Sequence, residues 1–159
     1  MSEPLIIKNS ISIRAPKAKV WDALVNPEQT KKYMYGCEPI SDWKTGSELL
    51  WQGVDGDKSI TFVKGKIIAI RPEEYLAYTV IDPNNTEVPD IPENYLTVTY
   101  TLEENNGETR CSVTQGDYST VANGQGRYDD TMKVGGWQSI LDAIKSLVEE
   151  GKPLDVVPE

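Results

Sequence analysis

Histidine is absent from the 159 residues. That absence removes the commonest general base, the Ser-His and Cys-His nucleophile pairs, and the usual zinc ligand. Cysteine is scarce too: Cys37 and Cys111 stand far apart in no CxxC arrangement, and read as reduced thiols. No stretch approaches the ~20 consecutive apolar residues of a membrane span. The opening "MSEPLIIKNS" lacks the basic, apolar and small-residue order of an export signal. The expectation is a cytoplasmic protein with no membrane insertion, no metal and no cofactor. Basic residues are in deficit, 16 Lys and Arg against 25 Asp and Glu, for a net charge of -9. A surface of that sign repels phosphate backbones, so nucleic acid is not an expected partner.

What is present is one-sided patterning. Leu5, Ile7, Ile11 and Ile13 alternate over Leu5 to Arg14, which predicts a half-buried strand ending at Pro16. Val20, Trp21, Leu24 and Val25 recur at helical spacing, and Pro27 opens a second short helix, where its missing N–H goes unmissed. Strands follow at Glu48 to Gly53, Ser59 to Arg71, Tyr75 to Asp82, Tyr95 to Glu104 and Thr109 to Gly116, separated by turn formers such as "DGD" and "ENNGE". In "YLTVTYTLE", Leu96, Val98, Tyr100 and Leu102 share one face and three threonines the other, the signature of an antiparallel sheet wet on one side. The proline-rich "DPNNTEVPDIPEN" predicts a surface loop, and the glycine cluster "NGQGRYDD" a flexible connection. Val134, Trp137, Ile140, Leu141, Ile144, Leu147 and Val148 then form an amphipathic helix, closed by Gly151 and Pro153. Residues 1–152 are expected to form a single domain and 153–159 a tail. A helix with an apolar stripe and a sheet with one apolar face must cover each other, so the fold class expected is α+β.

Taken in order, "APKAKVWDALVNPEQTKKYM", "SDWKTGSELLWQG", "KGKIIAIRPEEYLAYT", "VTYTLEENNGETRCSVTQ" and "GGWQSILDAIKSLVE" carry a likeness over nearly the whole chain. Together they resemble bacterial proteins similar to the C-terminal domain of the Hsp90 ATPase activator Aha1, within the START/Bet v 1-like (SRPBCC) superfamily. The resemblance implies a helix-grip fold: a curved antiparallel β-sheet wrapped around the long C-terminal helix, with the two short helices closing one end. It also implies a cavity for a lipid-like, aromatic or polyketide-like molecule. The superfamily includes carriers, cyclases and hydrolases, so fold alone does not assign activity.

Tyr33, Trp43, Trp51, Phe62, Tyr78, Tyr100 and Trp137 are the large aromatics expected to face the interior, with Leu141 of the last helix beside them. Aromatic rings fill cores, but each Tyr and Trp also needs a partner for a polar atom, which a ligand can supply. Gln115 shares strand parity with Cys111 and Val113, which puts an amide on the apolar face. Asp117 with Tyr118, and Glu48, are the available acids and bases, yet neither has a partner at diagnostic spacing. No catalytic residue is assigned. The reading is a module that holds a hydrophobic small molecule. Its alternatives are a protein-interaction module like the Hsp90 activator and, third, a cyclase or hydrolase on the same fold.

Overall fold

The computed structural model describes residues 4–34, 36–55 and 57–151. Its strands are β1 (Ile7–Ile13), β2 (Glu38–Ser41), β3 (Glu48–Asp55), β4 (Lys58–Arg71), β5 (Tyr75–Val80), β6 (Leu96–Asn105) and β7 (Glu108–Gly116), and its helices α1 (Lys17–Val25), α2 (Pro27–Thr30), α3 (Gly124–Lys133) and α4 (Gln138–Glu150). The strands form one antiparallel sheet in the order β1-β7-β6-β5-β4-β3-β2. Local chemistry sets the tightest connection: Asn106 and Gly107 both take positive φ, the backbone a two-residue hairpin needs, and they join β6 to β7 with Asn105 opposite Glu108.

Curvature comes from irregularities in the ladder. The register slips between Trp51 and Gln52 in the β3–β4 pair and between Ile67 and Ala69 in the β4–β5 pair. Such slips bend a strand and raise its twist. Between them lies Gly65, where a Cβ would sit 1.6 Å from the Thr79 carbonyl oxygen, so only glycine admits the close strand crossing. The sheet folds over α4, whose Leu141, Ala143 and Ile144 are fully buried among Ile13, Val98, Tyr100, Cys111 and Val113. Burying a Leu or Ile side chain contributes about 2–3 kcal/mol each, before the entropy of ordering it is counted.

The opening helices do what "VWDALVNPEQTKKYM" predicts. Val20, Ala23 and Leu24 of α1 and Tyr33 beyond α2 are buried in the main core. Asn26 caps α2 by accepting from the Glu28 N–H at 3.0 Å, with Pro27 in the first turn.

Three expectations need correction. The glycine cluster is not a loop: Gly124–Lys133 is α3, of which only Gly124 is buried, so no apolar stripe announces it. The final helix does not begin at Val134. That residue is 57% exposed, Gly135 and Gly136 break the chain with φ of 87° and 65°, and α4 starts after Trp137. The short edge strand β2 was not anticipated, because four residues containing a proline carry little pattern. The strand boundaries at β3 and β5 also shift by two residues. The C-terminal closure at Gly151 holds, with φ of 80° and its N–H on the Leu147 carbonyl. The tail at 153–159 lies outside the described residues.

Candidate functional site

A cavity of about 620 Å³ lies between the sheet and the start of α4. Strands β3 to β7 supply one wall, α3 and the first turn of α4 the other. It lies where the main core meets a smaller cluster of Ile7, Leu96, Tyr118 and Val121, with Val80 and Trp137 packed against both. Trp51, Phe62, Tyr78, Gln115 and Trp137, five of the expected residues, line it. Phe62 stands at the rim, 40% exposed, against the expectation of an interior ring. Its ring packs so near Gly53 that a Cβ there would meet it at 2.8 Å.

The other four stand elsewhere. Tyr33 is buried and donates its hydroxyl to the Ala23 carbonyl at 2.5 Å, tying the segment after α2 to α1. Tyr100 lies behind the cavity wall, its ring edge-on to Trp137 at 5.9 Å between centroids. Leu141 is core filling. Trp43 is half-exposed in the β2–β3 connection, packed against the core from outside the cavity.

The polar end of the cavity is built stepwise. Asn9 of β1 accepts the Trp137 backbone N–H at 3.0 Å and donates its amide to the Gly135 carbonyl at 3.2 Å. Gly136 must be glycine, since a Cβ would come within 2.6 Å of the Asn9 oxygen. This clamp aims the indole so that Trp137 Nε1–H donates to Gln115 Oε1 at 2.9 Å. Arg127, Asp130 and Thr131 of α3, spaced three and four residues apart on one face, complete the rim. Arg127 donates from Nη1 to the Ala122 carbonyl at 3.1 Å. Sequence patterning missed these three because they belong to a helix with no apolar periodicity, and it missed Met34 and Cys37, which line the opposite end.

The acid–base character of the wall is weak. Burial pushes the Tyr78 phenol far above the ordinary tyrosine value, and the Tyr100 hydroxyl beside it offsets this only in part. Tyr100 is raised likewise, by burial first. Both phenols stay protonated near neutral pH and can donate hydrogen bonds but not act as bases. Burial also raises the Cys37 thiol, which keeps it from being a ready thiolate. Asp117 is a structural acceptor: its Oδ1 takes the Ser119 hydroxyl at 2.6 Å, the Ser119 N–H at 2.8 Å and the Leu5 N–H at 2.9 Å, which hold its pKa below the usual carboxylate value. A second hollow of about 360 Å³ between α1, α2 and the end of α4 has charged walls, including Lys19, Asp22, Lys32 and Glu149, and lacks aromatic enclosure.

An antiparallel sheet gripping a C-terminal helix over a partly aromatic cavity defines the helix-grip class of START/Bet v 1-like proteins. Within it, the chain belongs to the family described as activator of Hsp90 ATPase homolog 1-like proteins, which it matches over residues 14–149. No protein with a curated description matches it. Among solved structures, a protein from Cytophaga hutchinsonii is similar at 35% identity, with 95% of this chain and 98% of that one covered and a TM-score of 0.72. The Aha1 dimer from Colwellia psychrerythraea aligns at 17% identity over 92% and 98% of the two chains, TM-score 0.64. DynU16, a protein of the dynemicin biosynthetic locus, aligns at 17% identity over 95% of this chain and 49% of its own, TM-score 0.69. At those two identities the likeness is one of fold.

Proposed function

We propose that the protein binds a hydrophobic small molecule, lipid-like, aromatic or polyketide-like, in the cavity between the sheet and α4. The observation that carries this reading is the cavity itself. Protein interiors normally pack to the density of organic crystals, whereas here a solvent-open hollow of about 620 Å³ reaches in among Trp51, Phe62, Tyr78 and Trp137. Small-molecule sites occupy about 300–1,000 Å³ and combine apolar and aromatic walls with a few polar groups, the mixture found here. The rim runs from Phe62 to Arg127, Asp130 and Thr131 of α3, and no residue of the Pro83–Pro92 loop lines the cavity. That loop is tied down by the Lys64–Asp90 ion pair, by Tyr95 donating to Asp90 at 2.5 Å, and by the Asn84 amide on the Thr61 carbonyl at 2.9 Å.

Thermal-shift titration with fatty acids, flavonoid-like aromatics, sterols and polyketide analogues tests it, because a ligand of the folded state raises the melting temperature by mass action. A saturable rise with one class, weakened in Val80→Trp, whose larger side chain narrows the cavity, supports the reading. No shift with any class sinks it.

Family membership favours a second reading, a co-chaperone-like module that engages an Hsp90-type ATPase. Raised ATPase turnover on adding the purified chain, unaffected by Val80→Trp, would put it first. Catalysis by a cyclase- or hydrolase-type enzyme is the third reading. The polar groups on the wall, with the Tyr78 phenol held protonated beside an amide, a guanidinium, a threonine and an exposed carboxylate, give it little support.

A further inference from the structure

We propose that the cavity takes an amphipathic carboxylic acid in one orientation, with the carboxylate at the Gln115–Arg127 end and the apolar body directed at Trp51 and Phe62. This rests on the small-molecule reading above and adds the chemical class of the ligand. The wall is graded. Gln115 on β7 lies opposite Val98 on β6, and Val98 opposite Tyr78 on β5, while Trp51 and Val63 are paired on β3 and β4. From β7 to β3 is four strand spacings of about 4.8 Å, or roughly 19 Å along the curve. The far end, with Met34, Trp51, Phe62 and Val63, offers apolar surface and a single thiol, Cys37.

The near end offers donors. An indole N–H can only donate, so the Gln115 amide must turn its oxygen to Trp137, which leaves Nε2–H2 as the group it can present. That Nε2 has no acceptor among the hydrogen bonds of the described residues, and Gln115 is half-buried. Arg127, also half-buried, uses Nη1 on the Ala122 carbonyl and joins none of the ion pairs among the described residues. Two sets of N–H donors, one cationic, line the same largely apolar cavity, Gln115 from β7 and Arg127 from α3. A carboxylate accepts from both, and the planar guanidinium fits it in a fork. Asp130, one turn along α3, is the opposing charge, but it is exposed and its field is damped by water. At a net charge of -9 the molecule as a whole does not attract anions, so recognition has to come from these contacts at short range.

Titration of the full chain with 1-pyrenebutanoic acid and its neutral partner 1-pyrenebutanol, read by quenching of tryptophan emission, tests the assignment, since Trp51 and Trp137 stand in the cavity wall. The acid is expected to bind about tenfold more tightly than the alcohol, the scale of a charge-assisted hydrogen bond. In Arg127→Met the acid loses much more affinity than the alcohol, so the preference collapses, and Arg127→Lys keeps part of it. Near-ultraviolet circular dichroism matching the native protein certifies the fold of both variants, since Arg127→Met also gives up the Ala122 hydrogen bond and some melting temperature with it. Equal binding of acid and alcohol, or a preference that survives Arg127→Met, overturns the carboxylate assignment and leaves the small-molecule reading intact. Binding of neither probe overturns both.

Discussion

At the scale of single residues, the two cysteines make a sensitive comparison. Cys111 is fully buried, and burial pushes its thiol up to about 12. Cys37 is half-exposed on the cavity wall and raised only in part. A thiol reagent should therefore modify Cys37 in the native protein and Cys111 only after unfolding, with a cavity ligand slowing the first reaction. Mass spectrometry of the labelled protein reads both, and rapid native labelling of Cys111 would contradict the packing.

Glu149 makes a second case. The Lys145 ammonium above all, then the Arg14 backbone N–H at 2.8 Å, hold its carboxyl down to about 2 from an ordinary 4.5. A lowered folded-state pKa stabilises the fold above the unfolded value, and that contribution fades as pH falls from about 4.5 towards 2. Glu149→Gln should cost about 1 kcal/mol near pH 7, discounted because Lys145 and Arg14 meet solvent, and the deficit should shrink by pH 3. Urea unfolding midpoints of both proteins at the two pH values check the sign.

At the scale of elements, two glycines determine geometry that no side-chain pattern announces. Gly65→Ala drives a methyl into the Thr79 carbonyl where β4 crosses β5. The expected loss is about 3 kcal/mol or more, read by thermal or urea unfolding, because backbone must move to relieve the contact. Gly136→Ala, at φ of 65° and against Asn9, should cost about 1–3 kcal/mol. Its second effect is at the site: the clamp on Trp137 is lost, so ligand affinity falls along with stability. A variant as stable as the native protein would show that the turn before α4 is not fixed by Asn9.

At the scale of the whole molecule, α3 and α4 differ in how they are held although both wall the cavity. Leu141, Ala143 and Ile144 anchor α4 in the core, whereas α3 buries Gly124 alone and sits between Asn123, with φ of 55°, and the Gly135–Gly136 turn. Amide hydrogens of α3 should exchange much faster than those of α4, since local opening follows buried contact. A bound ligand should slow α3 selectively and leave the Pro83–Pro92 loop unchanged. Slowing in that loop instead would move the entrance away from α3.

Periodicity by itself determined most of the sheet, α1 with α2, and the buried stripe of α4. Those elements rest on the match between an apolar face and the core it covers, which is written residue by residue in Leu96–Val98–Tyr100–Leu102 and Ile140–Leu141–Ile144. It also placed Gln115 on the inner face by parity with Val113. Which aromatics reach the cavity was decided only in three dimensions. Tyr78 and Tyr100 both read as inward-facing, yet Tyr78 lines the cavity and Tyr100 lies behind its wall. Cross-strand register governs that difference: Tyr78 shares a row with the lining residues Val98 and Gln115, whereas Tyr100 shares one with Leu76 and Val113 in the core, and pairing between strands leaves no signature in local hydrophobicity. The same holds for α3. A helix that buries one glycine has no apolar stripe to read, so Arg127 comes to the cavity mouth through the tertiary packing of its neighbours.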